Sequence, residues 1–341
     1  MADTWLITGG AGFIGSNLVR WIRANRPDVH VINADCLTYS GNLENFADLE
    51  GDGQHEFVKA DVREADQMRP LIERADAVLH LAAESHVDRS IIDSTPFIDT
   101  NVRGTQVLLD LCREAGGRRF VYVSTDEVYG SLPLDDTSQL FTEDTPLAPN
   151  SPYAASKAAG DLLVRAAFHT FGSEVLTTRC SNNFGPFQFP EKVIPLFVSN
   201  LLEGKKLPLY GDGKNVRDWL HVDDHAEAIV TVLEKGTPGE AYNVGGNNER
   251  SNLELTRMIL EAMGHGDDMI EPVADRLGHD RRYAIDASKI KNELGWEPTR
   301  SAWPDALQST VNWYVENRTW WERVKDGSYR DYYERQYGSR V

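Results

Sequence analysis

An α/β fold wound around a parallel sheet is predicted by three features of this chain. Short apolar runs rich in β-branched and aromatic residues alternate with stretches of helical periodicity through its first half. The first run, 4–8, leads straight into Gly9, Gly12 and Gly15, spaced G-x-x-G-x-x-G before a helical stretch. A later run, 120–123, ends in Ser124, Thr125, Asp126 and Glu127, two adjacent carboxylates where the strand must stop. Such alternation builds a doubly wound sheet with helices on both faces, and ligands sit beyond the carboxyl ends of its strands.

Composition narrows the function. With 341 residues, 41% of them hydrophobic, the chain can form one large α/β domain or two domains sharing a cleft. No run approaches the ~18 apolar residues of a membrane span, and 5–8 already reads as strand where a secretory leader would lie. Cys36, Cys112 and Cys180 are scattered and odd in number, which predicts a reduced, cytoplasmic setting and no metal site. A formal charge of -18 argues against nucleic acid or anionic membrane as the partner, and would also suit a high-salt habitat.

The strand at 4–8 and the glycine turn are followed by a helix to about 24. Glycines let such a turn close, bring backbone amides against a pyrophosphate and pack helix on sheet, which makes this a Rossmann-type dinucleotide site. A second strand, 29–33, delivers Asp35 twenty residues after Gly15. A carboxylate there accepts hydrogen bonds from the adenosine ribose and repels a 2′-phosphate, so NAD is expected rather than NADP. The strand at 55–59 ends near Asp61 and Val62, at the adenine edge. The next, 77–81, runs from Leu81 into Ala82, Ala83, Glu84, Ser85 and His86, where small residues let a cofactor pass close to the backbone. His86 reads as a structural or substrate-positioning residue before a catalytic one. A long helix is predicted over 95–115, with Thr100, Asn101 and Gly104 in its first half. The acidic segment 131–150, carrying Pro133, Pro146 and Pro149, reads as a surface flap near the site.

Pro152 opens the next helix, where its missing amide costs little, and the helix carries Tyr153 and Lys157. At i and i+4 the two share one helical face, where an ammonium can lower a phenol's pKa. On their own, Asp126 and Glu127 could be a solvated acidic loop. With Tyr153 and Lys157 following, they read as paired acid and base.

The strand at 175–179 leads to Asn182 and Asn183, after which the alternation weakens. We expect an NAD-binding domain over 1–186, with 216–245 returning to it. The rest, 187–215 and 246–341, forms a smaller substrate-binding α/β region. That region carries a helix at 193–203, a strand and turn at 207–213, and helices from about 253, 288 and 302. The aromatic tail after 320 has no assigned element. Against the acidic background, Lys192, Arg217, Arg276, His279, Arg281 and Arg282 fall in loops or near turns. Each could be an ordinary surface salt bridge, but together they suit the diphosphate of a sugar nucleotide.

Taken in order, the glycine turn, Asp35, Ser124-Thr125-x-x-Val128-Tyr129-Gly130 and Tyr153-x-x-x-Lys157 resemble the extended short-chain dehydrogenase/reductase family. Several stretches are similar to its sugar-nucleotide 4,6-dehydratases, and the likeness runs nearly the whole chain. They are Asp126-Glu127, the segment 82–90, 182–186, 189–192 and 275–283. Leu277 replaces the usual Pro of a substrate loop, and Cys36 the usual Lys beside the ribose carboxylate.

The resemblance implies a dTDP-linked glucose as substrate and NAD held throughout the cycle. Tyr153, kept acidic by Lys157 and assisted by Thr125, takes the proton of the 4-hydroxyl during oxidation at C4. Glu127 then removes the C5 proton, Asp126 protonates the departing 6-hydroxyl, and hydride returns to C6. It further implies that Phe13, Ile14, Cys36, Leu37, Thr38, Asp61, Val62 and Thr100 line the NAD site, with Asn183 near the nicotinamide. Ser85, Thr125, Asn182, Lys192, Val193, Pro208, Tyr210, Arg217, Asn252, Arg276 and His279 would hold the nucleotide sugar. A homodimer through the long helices is implied as well. The alternatives are a UDP-glucose dehydratase or other sugar-nucleotide dehydratase or epimerase, and, outside enzymes, a dinucleotide-sensing binding protein. A 4-epimerase would have no use for two elimination carboxylates.

Overall fold

The computed structural model describes residues 3–325. The chain opens with β1 (Thr4–Thr8), α1 (Phe13–Asn25) and β2 (His30–Asp35), then β3 (His55–Lys59), α2 (Ala65–Arg74) and β4 (Ala77–His80). The short α3 (Val87–Ile92) and α4 (Thr95–Phe97) precede a π-helical stretch, Ile98–Gly104, which runs into α5 (Thr105–Glu114). β5 (Arg119–Thr125), α6 (Pro152–Phe171) and β6 (Val175–Cys180) follow. Beyond them come β7 (Asn182–Phe184), α7 (Val193–Leu202), β8 (Leu207–Tyr210), β9 (Val216–His221), α8 (Val222–Lys235) and β10 (Ala241–Val244). The last elements are β11 (Glu249–Ser251), α9 (Asn252–Ala262), β12 (Ile270–Val273), α10 (Ser288–Leu294), α11 (Asp305–Glu316) and α12 (Arg318–Val324).

Seven strands form one parallel sheet in the order β10-β6-β5-β4-β1-β2-β3. Both of its faces are covered, so residues that alternate along a strand are apolar on either side. Trp5, Ile7, Val31 and Leu79 pack with Leu18, Ile22, Ile229 and Leu233 of α1 and α8. Leu6, Ile32, Val78 and Phe120 pack on the opposite face with Met68, Leu108, Leu111 and Val164. The chain winds outward from β1 to β3, then crosses to β4 on the other side of β1. That reversal opens a crevice above the ends of β1 and β4, where the glycine turn lies.

Two smaller sheets, β11-β9-β7 and β12-β8, stand beside the large one. Phe184, Trp219, Trp320 and Trp321 share an apolar core with α7, α9 and α11. β10 rejoins the large sheet by pairing with β6. Among the described residues, no helix is long and apolar enough to cross a membrane. The tail after 320 contributes the end of α12, and 326–341 lies outside the described residues.

Two expectations are corrected. The helix expected over 95–115 widens into a π turn at Ile98–Gly104. There Asn101 is fixed by two hydrogen bonds to the Glu84 backbone (2.9 and 3.0 Å) and one to Ser156 Oγ (2.8 Å). π turns of this kind frequently mark functional sites. The segment 131–150 lies at the surface as expected, but it is a fastened arm rather than a loose flap. Leu132 and Phe141 are buried, and their amides donate to Arg282 and Ala284 carbonyls at 3.0 and 2.9 Å. The buried Arg282 guanidinium gathers the carbonyls of Asp136, Thr137 and Gln139 at 2.9–3.2 Å. Periodicity reports exposure along one segment and cannot see a partner this far along the chain.

Candidate active site

The dinucleotide turn is held open by what cannot fit in it. Gly9 has φ +72°, and a Cβ there would stand 2.6 Å from the Ala82 amide nitrogen, so only glycine lets β1 and β4 end this close together. Gly12 caps α1 without any side-chain bond, which leaves first-turn amides and the positive end of the helix for an anion. Asp35 is buried at the end of β2, its two oxygens accepting from the amides of Ala11 (3.0 Å) and Leu37 (2.8 Å). Burial pushes its carboxyl up, and those two amides oppose the shift. Leu37 sits at φ +58° and does not line the cleft; its amide is what it contributes. These features fit NAD. If Asp35 meets the ribose hydroxyls, NAD should bind more than tenfold tighter than NADP, a step of ~1.4 kcal/mol or more. Calorimetry returning equal affinities would remove Asp35 from that role.

A directional hydrogen-bond thread runs beneath this turn. The Ala82 amide donates to Thr8 Oγ1 at 3.3 Å, and Thr8 Oγ1 lies 2.7 Å from His80 Nδ1. His80 Nε2 meets Thr105 Oγ1 at 3.0 Å, and Thr105 donates to the Asn101 carbonyl at 2.7 Å. Since the Thr105 proton is committed to Asn101, His80 carries its proton on Nε2 and accepts from Thr8 at Nδ1. Burial holds the imidazole neutral, with its pKa at about 3. The cofactor turn is thereby tied to the π turn, which reaches α6 through Asn101 and Ser156.

The reactive groups gather where β5 ends. Thr125 caps the turn after it: its hydroxyl accepts from the Glu127 amide and donates to Asp126 Oδ1, each at 3.3 Å. Asp126 is buried, and its other carboxylate oxygen has no hydrogen-bond partner. Burial first, and the Glu127 charge second, hold its carboxyl well above the usual range, which favours the protonated form. Glu127 is raised by burial too, but Arg276, Arg217 and Lys192 counter the shift. Both carboxyls are raised, but Glu127 is opposed by three cations where Asp126 is opposed by Arg217, so the two environments differ.

Tyr153 and Lys157 face this end from the first turns of α6. Lys157 donates through Nζ to the Val123 carbonyl at 2.7 Å, and burial brings its pKa down to about 8. Sequence reasoning had the ammonium lowering the Tyr153 phenol. In this structure burial, then the Glu127, Cys180 and Tyr122 groups, push the phenol well up, opposed by a hydrogen bond with Thr125. Burial favours the neutral phenol.

Two clefts meet at Glu127, Asn182, Glu191 and Lys192, with volumes of about 340 and 180 Å³. The larger gathers Gly9, Gly12, Phe13, Ile14, Gly15, Asp35, Cys36 and Thr38 from the first two strands. Across it stand Asp61, Val62, Leu81, Ala82, Ala83, Ser85, Thr100, Thr125, Asp126, Tyr153, Lys157 and Asn183. Asn183 is fixed by His225 Nδ1 at 2.9 Å. The smaller cleft is lined by Val193, Pro208, Tyr210, Arg217, Asn252, Arg276 and His279. There Arg217 is buried, donates to the Val216 and Asp280 carbonyls (2.7 and 2.9 Å), and stacks 4.0 Å over the Tyr283 ring. His279 sits 2.6 Å from Asp275, and burial with Arg276 and Arg217 lowers it to about 4, leaving it neutral. Ser85 and Thr125 line the larger cleft only.

Several lining residues escaped sequence reasoning. The Tyr39 ring lies between the Arg89 guanidinium, 3.7 Å above it, and Phe189, edge-on at 5.4 Å, while Glu191 accepts from Arg89 at 3.2 Å. Tyr283 and Trp219 border the smaller cleft. A lone Tyr in a loop carries no signal of its own. The stretch 189–192 was singled out, yet only Lys192 was given a task. Among the described residues no His, Cys, Asp or Glu cluster could hold a metal ion.

A protein-family model described as GDP-mannose 4,6 dehydratase matches residues 6–303. The chain is 53% identical to the dTDP-glucose 4,6-dehydratase of Xanthomonas campestris pv. campestris strain B100, over 96% of this chain and 97% of that protein. It is similar to DesIV, a dTDP-glucose 4,6-dehydratase from Streptomyces venezuelae solved with NAD bound. There the identity is 52% and the TM-score 0.91, over 94% of this chain and 100% of that one. The UDP-glucose 4-epimerase of Thermotoga maritima, solved with UDP-glucose, is similar at 29% identity and a TM-score of 0.84, over 92% and 99% of the two chains.

Proposed function

The chain belongs to the GDP-mannose 4,6 dehydratase family, and we infer that it converts dTDP-glucose to dTDP-4-keto-6-deoxyglucose and water with NAD as cofactor. It is a lyase of deoxysugar biosynthesis. The observation that carries this reading is the pair of buried carboxylates at the end of β5, both with raised pKa, of which Glu127 is set among three cations where the two clefts meet. The fold alone could not carry it, because an epimerase shares it at 29% identity.

Roles follow from placement. Tyr153, hydrogen-bonded with Thr125, accepts the proton of the 4-hydroxyl, and its phenol must first be lowered by positive charge brought into the larger cleft. When bound, NAD takes up the C4 hydride and returns it to C6. Once C4 is a ketone the C5 proton is acidic, and Glu127 is the base in reach. Asp126, whose raised pKa favours the protonated form, supplies the proton with which the 6-hydroxyl leaves as water. Arg217, Arg276 and Lys192 hold the diphosphate, and Pro208, Tyr210 and Asn252 border the base. Gly9, Gly12, Gly15 and Asp35 hold the cofactor through amides and carboxylate.

Most of the larger cleft falls in a domain of 1–186 with 216–245, while the smaller joins residues of 187–215 and 246–341 to Asp88, Glu127 and Arg217 of that domain. A homodimer fits the half-exposed apolar residues Ile98 and Leu162 on adjoining elements, which a solution mass measurement checks. Three free cysteines suit a cytoplasmic setting.

Incubation with dTDP-, UDP- and GDP-glucose should give a 4-keto product fastest from dTDP-glucose; preference for UDP-glucose would support the second dehydratase reading. Arg217→Ala should raise KM for the nucleotide sugar more than it lowers kcat, because the contact persists from ground state to transition state. Loss of a charge-assisted bond costs about 1.5–3 kcal/mol. An unchanged KM would move the diphosphate away from Arg217.

A further inference from the structure

We propose that Asp88 limits how tightly the diphosphate is held and so keeps the spent nucleotide sugar from blocking the site, an inference resting on the substrate reading above. Asp88 lies on α3, is buried, and lines the smaller cleft together with Lys192, Arg217 and Arg276. Its Oδ1 is 4.0 Å from Arg276 Nε, a buried nitrogen without a hydrogen-bond partner. The same carboxylate helps keep Lys192 charged.

Three acidic side chains line this cleft among the described residues. Glu127 has a task in the chemistry, and Glu191 is joined to Arg89 at 3.2 Å. Asp88 has no proton to move in the elimination, and a carboxylate in an anion site opposes the anion. His279, neutral under its neighbours, adds no charge to offset it.

Substrate and product carry the same diphosphate, so every contact to it is uniform binding. Such contacts lower KM without raising the rate of chemistry, and beyond a point they slow release. A fixed negative charge beside Arg276 does two things. It holds the guanidinium in place while the cleft is empty, and it subtracts from phosphate affinity once the cleft is filled. Asp88 is therefore a positioning residue whose removal should tighten binding, the opposite of what loss of a strut would do.

The test is the Kd of dTDP for the NAD-loaded protein, by calorimetry, in wild type, Asp88→Asn, Asp88→Ser and Asp88→Glu. Removing one charge at this range should tighten dTDP roughly 5- to 30-fold in Asp88→Asn and Asp88→Ser. Neutral thymidine should bind as before, Asp88→Glu should stay near wild type, and product inhibition should deepen in the two neutral variants. Unchanged or weaker dTDP binding in a neutral variant that keeps the wild-type melting temperature would overturn the proposal and make Asp88 only a support for Arg276. Failure of wild type to bind dTDP would overturn the substrate reading, and this inference with it.

Discussion

Glu127→Gln should oxidise its substrate at C4 and go no further. Reduced nicotinamide should appear in a single turnover, while the recovered sugar takes up no deuterium at C5 from heavy water. The amide keeps the shape of the side chain and its place among Arg217, Arg276 and Lys192, but it cannot accept the C5 proton. Asp126→Asn should fail one step later. C5 exchange should survive while loss of water slows by roughly 10²–10⁴-fold, the usual worth of a general acid. The pH dependence follows from the same environments. Glu127 works ionised and its pKa is raised, so elimination should fall on the acid side at a pH above the ordinary glutamate range. Asp126 works protonated and is raised further by burial and by Glu127, so the alkaline fall belongs to its ionisation. Wild-type C5 exchange in Glu127→Gln would remove the base and the role split together.

Tyr153→Phe should block the first step instead, yielding little reduced nicotinamide and no exchange, with oxidation slowed by roughly 10²–10⁴-fold. The ring is buried against Val87 and Phe97, so phenylalanine keeps the packing and the loss reads on the hydroxyl alone. NAD and dTDP should bind this variant nearly as well as wild type. Rapid formation of reduced nicotinamide in Tyr153→Phe would move the first base to another group.

Much of the first domain was legible because its signals are local. A glycine turn, a strand-ending Asp35 and a Tyr153–Lys157 pair one helical turn apart each fit within a few residues of backbone geometry. The same holds for β5 and its two carboxylates, since a strand that must be buried on both faces announces its own end. Arg217, Arg276 and His279 were legible as a group only through contrast with an acidic chain. What they stack on or pair with was not.

The chain by itself determined the parallel sheet, the dinucleotide turn and the reactive residue types, because periodicity and turn chemistry act over short separations. Only the tertiary structure decided how the surroundings of the two carboxylates differ. Asp126 and Glu127 are neighbours in sequence and burial raises both, so the difference comes from the cations brought to Glu127 by β9, Lys192 and the loop of Arg276. It also decided that Tyr39 meets Arg89 and Phe189, that 131–150 is fastened by Arg282, and that the helix under the cofactor widens at Asn101. Each depends on charges, carbonyls or ring faces supplied from far along the chain, and no local pattern records where those will come to lie.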